Sequence, residues 1–276
     1  EKVEGEIVTI YYHGPVSRRA KKMLEACEDS VYKISDLLGV EKNENISVMM
    51  YNNYSEMFDV VVKKSETQAN SLITEGQAFA TENVVLVDGG SGSALGVATH
   101  EITHIIVARA TKSSYLGVPL WLNEGLAEFG NIEQSQGYDR YLEWAIDTGR
   151  LFPFSSLNRF PGNPNLTLVA YGQSKSFVEF LINNFPEGSM IKLMKEISNK
   201  KSIEDSFISS FGVSLDDLEI QWKKDLGIID RKNETSTSSE LNNGALGSCN
   251  GGSMGFELSS VLLLLFAYFV KKKVNN

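Results

Sequence analysis

The chain has 276 residues, of which 42% are hydrophobic and six are proline. This length and composition allow a substantial hydrophobic core and exclude a disordered or fibrous protein. The formal net charge is −9, and no basic stripe appears before the last few residues, so nucleic-acid binding is not favoured. The two cysteines, Cys27 and Cys249, suit neither a thiolate metal site nor a disulfide framework. A bound metal would therefore need histidine and carboxylate ligands.

The first third of the chain predicts a mixed α and β structure. Apolar residues in strand-like patterns indicate three strands, at 6–12, 46–51 and 83–88. Apolar residues at helical spacing indicate three helices, at 18–39, 54–62 and 94–110. The glycine-rich segment before the last of these helices predicts a turn, in which Ser91 or Ser93 caps the helix.

The order of strand, glycine turn and helix at 83–110 is also typical of a dinucleotide-binding fold. The glycines Gly90, Gly92 and Gly96 depart from the spacing of that fold, and no following strand ends in a suitably placed acidic residue. The segment also lacks the lysine of a P-loop. The dinucleotide interpretation therefore has little support, and it leaves the histidines of the helix unexplained.

The remainder of the chain is predicted to be helical. From Pro119 onward, helical periodicity indicates six helices, at 119–129, 136–149, 167–185, 188–198, 202–211 and 214–226. Residues 230–255 are polar and rich in Ser, Asn and Gly, which predicts a flexible linker. We therefore expect an α+β protein made of four parts: an α+β lobe at 1–112, a helical lobe at 113–229, the linker at 230–255, and an apolar segment at 256–273.

Two of the three histidines in the chain lie four residues apart in the helix at 94–110, as His100-Glu101-x-x-His104. Residues i and i+4 share one face of a helix, so both imidazoles can bind one zinc ion. Glu101 then stands close enough to act as a general base without binding the metal. The apolar neighbours predict an interior helix, in which unpartnered polar side chains would be costly. One metal ion and its water would supply partners for all three side chains.

A catalytic zinc ion usually has three protein ligands, and the segment at 118–130 offers the third. Glu124 and Glu128 lie one turn apart there, among apolar residues of a predicted helix. Glu124 is the candidate ligand, and Glu128 is the candidate acceptor for the free N–H group of a zinc-binding histidine. The alternative is that Glu128 faces solvent. Gly125 is expected to let this helix pack closely against the histidine helix.

These residues resemble the gluzincin metallopeptidases. The likeness rests on His100-Glu101-x-x-His104 and on the later run Asn123-Glu124-Gly125-Leu126-Ala127-Glu128. The group includes thermolysin and the membrane alanyl aminopeptidases, and this chain is most similar to the small peptidase MA-like proteins. The likeness extends over about residues 1–226, and its specific part is 98–130.

The resemblance implies a thermolysin-like, two-lobed zincin whose active site lies between an α+β lobe and an all-helical lobe. It also implies an edge strand within 76–87 that pairs with the backbone of a peptide substrate. Members of this group often carry a tyrosine or histidine that stabilises the oxyanion, and Tyr171 is the candidate in this chain. The alternative for Tyr171 is a core aromatic residue with a hydrogen-bonded hydroxyl.

The predicted activity is zinc-dependent hydrolysis of peptide bonds. One Zn²⁺ ion would lower the pKa of a water molecule and polarise the scissile carbonyl. Glu101 would accept the proton of the water and pass it to the leaving amine, and Tyr171 would donate to the oxyanion. Aminopeptidase and endopeptidase activity stay open. Two alternatives are a catalytically silent surface-binding protein on the same scaffold and a structural zinc site.

The C-terminal residues predict attachment to a membrane. Residues 258–270 are uncharged and strongly apolar, and three lysines follow directly. With the residues before it, this run is typical of a single span whose lysines stay in the cytoplasm, which places the catalytic lobes outside the cytoplasm. The alternative is a buried or disordered tail. The layout also resembles tripartite C-terminal sorting signals, in which the chain is cleaved, here near Cys249. The start at Glu1 is consistent with a removed leader peptide and equally with a trimmed sequence.

Overall fold

The computed structural model describes residues 1–61, 75–112, 117–133 and 136–228. These residues form nine α-helices and one five-stranded sheet, which confirms the predicted α+β class. The predicted linker at 230–255 and the predicted membrane segment at 256–273 lie outside the described residues. Among the helices of the described part, none combines the length and the apolar character that crossing a membrane requires.

The sheet comes entirely from the first third of the chain. Its strands are β1 (Lys2–Glu4), β2 (Val8–Tyr11), β3 (Ile46–Tyr51), β4 (Gly76–Phe79) and β5 (Val84–Asp88). They are arranged in the order β1-β2-β3-β5-β4, in which β2, β3 and β5 are parallel and the two outer strands are antiparallel to their neighbours. The predicted strands are thus present, while the short β1 was not predicted.

Two long helices cover the buried face of the sheet. These are α1 (Ser17–Leu38) and α3 (Ala94–Ala110), and the short α2 (Tyr54–Phe58) lies between them in the sequence. Helices α1 and α3 pack side by side, α1 against β2 and α3 against β4 and β5. Helix α1 ends, as predicted, at Gly39, whose φ of 69° is the left-handed conformation that glycine adopts without strain. Helix α3 is an interior helix, with 13 of its residues buried.

The rest of the described chain is helical, as its periodicity predicted. It contains α4 (Leu120–Gly130), α5 (Gln136–Asp147), α6 (Pro164–Asn184), α7 (Ser189–Ser198), α8 (Ile203–Phe211) and α9 (Leu215–Asp225), with a single 3-10 turn at Phe154–Ser156. Helix α6 packs against both α4 and α5. Trp121 of α4 is 1% exposed and lies against the rings of Phe154, Phe177 and Phe207. This aromatic cluster joins α4 to α6 and α8.

Glycines let α4 approach two neighbouring helices closely. A Cβ atom on Gly125 would lie 2.5 Å from the carbonyl oxygen of Ser174 in α6, so the prediction that Gly125 faces the histidine helix is wrong. Successive residues of a helix are rotated by about 100°, so Gly125 cannot share the face of Glu124 that is turned to α3. The close approach to α3 occurs at Gly130, where a Cβ atom would lie 2.0 Å from the Thr103 Oγ1.

The N-terminus of α3 is capped by a residue that is distant in the sequence. Ser93 occupies the N-cap position, but its side chain makes no capping hydrogen bond and donates to Glu75 Oε2 at 2.6 Å. The Ser91 hydroxyl accepts a hydrogen bond from the backbone N–H of Ser93 at 3.3 Å. Ser93 lies before the first residue of the helix, so this bond does not cap α3. The N–H of Gly96, in the first turn, donates to the carboxylate of Glu133 at 3.0 Å. The predicted serine cap is therefore wrong, because a carboxylate that follows α4 takes its place.

Candidate metal centre

Three side chains from two helices converge on one point. The Nε2 atoms of His100 and His104, one turn apart on α3, are 3.1 Å from each other. Glu124 of α4 places its Oε2 at 3.5 Å from the His100 Nε2 and 3.8 Å from the His104 Nε2. The side chains of His100 and Glu124 are 1% and 8% exposed, and that of His104 is 11% exposed. Among the His, Cys, Asp and Glu residues of the described part, these three are grouped closely enough to hold a metal ion.

The spacing of these three atoms fits a tetrahedral ion. Zinc binds nitrogen and oxygen ligands at about 2.0–2.1 Å, so adjacent ligand atoms of a tetrahedral site lie about 3.3–3.4 Å apart. The observed separations of 3.1, 3.5 and 3.8 Å bracket that value. An ion placed among them would keep a fourth position free, as catalytic zinc sites do.

The outer nitrogens of both histidines face hydrogen-bond acceptors. The His104 Nδ1 is hydrogen-bonded to Asn123 Oδ1 at 3.1 Å, while the His100 Nδ1 lies 3.0 Å from Glu128 Oε1 in an ion-pair contact that is not aligned as a hydrogen bond. With a metal ion bound, these neighbours would keep the imidazole protons on Nδ1 and leave the lone pair of each Nε2 for the ion. The Oε2 of Glu124 has no hydrogen-bond donor among the described residues. Three electron-pair donors therefore face one another, an arrangement that a cation stabilises.

The electrostatics of the group show the same need for positive charge. Burial lowers the pKa of His100, but the carboxylates of Glu124 and Glu128 outweigh burial and raise this pKa to about 10. Burial raises the pKa of Glu124, but the charges of His104 and His100 outweigh it and leave the pKa below its usual value. Without a metal ion, a proton on His100 thus supplies the positive charge that these carboxylates require.

Glu128 is buried beside the histidine that it was predicted to contact. Its side chain is 1% exposed, so the alternative in which Glu128 faces solvent is wrong. Its second oxygen lies 3.5 Å from the amide nitrogen of Asn131. Asn123 makes the corresponding contact with His104, and the sequence analysis did not predict it. The available signal was its position directly before Glu124, as an amide among the apolar residues of α4.

Glu101 lies next to the edge of the sheet and outside the three-ligand group. Its residue is 9% exposed, and a Cβ atom added to Gly76 of β4 would lie 3.0 Å from its Cγ. Burial is the main effect on the Glu101 carboxyl and raises its pKa, which the histidines and a hydrogen bond from the backbone of Ala78 oppose. The carboxyl group is thus held between α3 and β4.

Strand β4 is an edge strand of the described sheet, as predicted within 76–87. The N–H of Asp88 donates to the carbonyl of Glu75 at 2.9 Å. Because hydrogen-bonded positions alternate along an antiparallel pair, Gly76 and Ala78 direct their backbone groups away from β5. The side of the strand that is unpaired among the described residues therefore faces the side on which the Ala78 backbone reaches Glu101.

Tyr171 is packed between two other aromatic rings. It lies on α6, is 3% exposed, and its ring centroid is 5.6 Å from that of Tyr138 and 4.8 Å from that of Phe160. Burial, followed by the charge of Glu124, raises the pKa of Tyr171 well above its usual value, so its hydroxyl keeps its proton. Tyr138, also buried, was not among the predicted site residues. Its pKa is raised by burial and by the charges of Glu128 and Glu124.

Comparison with known proteins identifies the family. The family model of the peptidase MA superfamily matches residues 26–227, which is more than two thirds of the chain. The matched range contains both histidines of α3, both glutamates of α4 and Tyr171 of α6. A search of curated protein sequences found no match. The chain belongs to the peptidase MA superfamily and carries a metallopeptidase-type domain.

Proposed function

We propose that this protein is a zinc-dependent peptidase that hydrolyses peptide bonds with Glu101 as the general base. The convergence of His100, His104 and Glu124 carries the proposal, because two imidazole nitrogens and a carboxylate oxygen at these distances suit a tetrahedral cation. The complete set of ligands and base favours an enzyme over a catalytically silent binding protein. The absence of cysteine from the group argues against a structural zinc site, which is usually rich in cysteine.

Each side chain of the site has a distinct role in the proposed hydrolysis. A zinc ion held by the three ligands would polarise the scissile carbonyl and lower the pKa of the attacking water. Glu101 accepts the proton of that water and transfers it to the leaving amine. Glu128 and Asn123 hold the imidazole rings in the correct tautomer and orientation. Tyr171, which keeps its proton, donates to the oxyanion.

The free edge of β4 is the proposed binding surface for the substrate backbone. Gly76 and Ala78 present their backbone groups to this edge, and the Glu101 carboxyl lies beside both residues. An extended peptide that adds to the sheet there would carry its scissile bond past the general base. A side chain at position 76 would collide with Val97 and Glu101, so the glycine lets β4 lie close against α3.

The proposed setting of the enzyme is the outer face of a membrane. The apolar residues 258–270 and the lysines after them support a C-terminal anchor with the peptidase domain outside the cytoplasm. Within that domain, the sheet with α1 and α3 would form the upper lobe of a thermolysin-like zincin, and the helices from α4 onward would form the lower lobe. The proposal is compatible both with a C-terminal segment that is kept and with one that is cleaved near Cys249.

Zinc content and peptide hydrolysis of the wild type and three variants test the proposed activity. The wild type, Glu101→Gln and Glu124→Ala are compared, with Glu187→Gln as a control at an exposed position of the same residue type. A mixture of peptides from a digested proteome serves as substrate, and mass spectrometry detects cleavage. We expect Glu101→Gln to keep its zinc and to lose activity by about 10²–10⁴-fold. Glu124→Ala should lose zinc, and the control should match the wild type.

Two outcomes would contradict the proposal. A wild type that binds no stoichiometric metal would remove its basis, and a fully active Glu101→Gln variant would refute the assigned base. A wild type that binds zinc tightly and cleaves no peptide in the mixture would instead support the silent binding protein. The same experiment distinguishes an aminopeptidase from an endopeptidase, because an aminopeptidase removes residues one at a time from the N-terminus.

A further inference from the structure

Residues 131–133 follow α4 directly and contact the beginning of α3. The two helices run antiparallel, since Asn123 near the start of α4 contacts His104, while Glu128 near the end of α4 contacts His100, which lies one turn closer to the start of α3. The chain links them covalently only at the other end, between Ala110 and Leu120. At the end where α3 begins, their spacing therefore depends on noncovalent contacts.

Two hydrogen bonds join the 131–133 segment to α3. The N–H of Gly96 donates to Glu133 Oε2 at 3.0 Å, and the N–H of Ile132 donates to Thr99 Oγ1 at 3.2 Å. The carboxylate also lies at the positive end of the α3 dipole, which strengthens its interaction with the helix. The fit is close, because a Cβ atom on Gly96 would lie 2.8 Å from the Cβ of Glu133.

The same segment reaches the metal centre through two routes. Thr99, which accepts from Ile132, directly precedes His100 in the chain. Asn131 approaches Glu128, and Glu128 lies 3.0 Å from the His100 Nδ1. A shift of α3 relative to α4 would therefore change both the position of the His100 ring and the contact that orients it. It would also change the 3.5 Å separation between His100 Nε2 and Glu124 Oε2.

We propose that Glu133 is a positioning residue for the metal centre: its bond to the Gly96 N–H sets the spacing of α3 and α4 at which the three ligands fit one ion. This inference rests on the proposed metal-binding function. Glu133 is an exposed residue outside the ligand group, so its effect on metal binding would come through helix position and not through contact with the ion.

Cobalt(II) binding by the full chain tests the proposal without measuring peptidase activity. The dissociation constant is obtained by competition with a chelator, the visible absorption spectrum reports coordination geometry, and thermal unfolding of the metal-free protein reports stability. Glu133→Ala removes the acceptor, whereas Glu133→Gln keeps an oxygen that can accept from Gly96. Ser93→Ala is the matched control, because Ser93 lies at the same helix end but bonds to Glu75 and not to the 131–133 segment.

We expect Glu133→Ala to weaken cobalt binding about tenfold, at the lower end of the effect of residues that orient metal ligands, and to alter the cobalt spectrum. Glu133→Gln should recover most of the affinity, and Ser93→Ala should bind as the wild type does. Gly96→Ala, whose methyl group would collide with both Asn131 and Glu133, should repeat the loss.

Equal cobalt affinity of Glu133→Ala and wild type would overturn the positioning role and leave the peptidase proposal intact. The positioning role is also overturned if Ser93→Ala weakens binding as much as Glu133→Ala, since helix stability would then explain both. A wild type that binds no cobalt or zinc would instead refute the metal site itself, together with the inference that depends on it.

Discussion

Replacing Glu128 should weaken zinc binding although Glu128 is not a ligand. Its Oε1 lies 3.0 Å from the His100 Nδ1, and both side chains are 1% exposed, so water cannot replace the carboxylate. Glu128→Leu would take the carboxylate away from the buried His100 Nδ1, at a cost of about 1–3 kcal/mol. At about 1.4 kcal/mol for each factor of ten, this corresponds to about 5–150-fold in affinity. The effect expected for a residue that orients a metal ligand, about 10–100-fold, falls in the same range.

Competition with a fluorescent zinc chelator at pH 7 measures this change. Glu128→Gln separates geometry from charge, because the amide oxygen can still accept from Nδ1 while the negative charge is gone. Its loss of zinc affinity should be smaller than that of Glu128→Leu. Glu187→Gln, at an exposed position, is the control. Circular dichroism establishes that each variant is folded. Wild-type affinity in a folded Glu128→Leu protein would refute the assignment of Glu128 to His100.

Three further outcomes are expected. Tyr171→Phe should lower kcat by about 10²-fold through loss of the hydroxyl that stabilises the oxyanion, with an unchanged melting temperature, because phenylalanine keeps the ring contacts with Tyr138 and Phe160; unchanged kcat would make Tyr171 a core residue. Gly125→Ala should destabilise the fold by about 1–3 kcal/mol in urea, since its Cβ would lie 2.5 Å from Ser174 O, whereas Gly162→Ala meets nothing within 4 Å; equal midpoints would contradict this packing. Because the carboxylates keep His100 protonated up to a pKa of about 10, zinc must displace that proton at neutral pH. Affinity should therefore rise with pH, and calorimetry in two buffers should detect release of about one proton per ion; no release would contradict the protonated state.

The helices were predictable because their signals are local. The spacing of apolar residues located α3, α4 and α6 to within a few residues, and it placed Glu124 and Glu128 on one face of a helix. The short strands were harder, since β1 and β4 have three and four residues and too few positions to show an alternating pattern. The place of β4 at the sheet edge was implied by family resemblance, and its register against β5 came only from the structure.

The misjudged details all depend on residues far apart in the chain. The cap of α3 comes from Glu133, which is 37 positions after the N–H that it binds. Gly125 faces α6, whose contacting residue Ser174 follows it by 49 positions, so local spacing carried no information about the direction of close approach. Tyr138 was missed for the same reason, because only the packing of α5 against α6 brings its ring onto Tyr171.

The sequence by itself determined the chemistry of the candidate centre: two histidines one helical turn apart, a glutamate beside them, and two buried acids on a later helix. Those features follow from helical periodicity, which is a property of neighbouring residues. Tertiary structure decided that Glu124 Oε2 comes within 3.8 Å of both histidine nitrogens, that Glu128 and Asn123 each face an Nδ1 atom, and that Glu101 adjoins the edge strand of the described sheet. The distance between two helices depends on what is packed around both, which no single segment of the chain encodes.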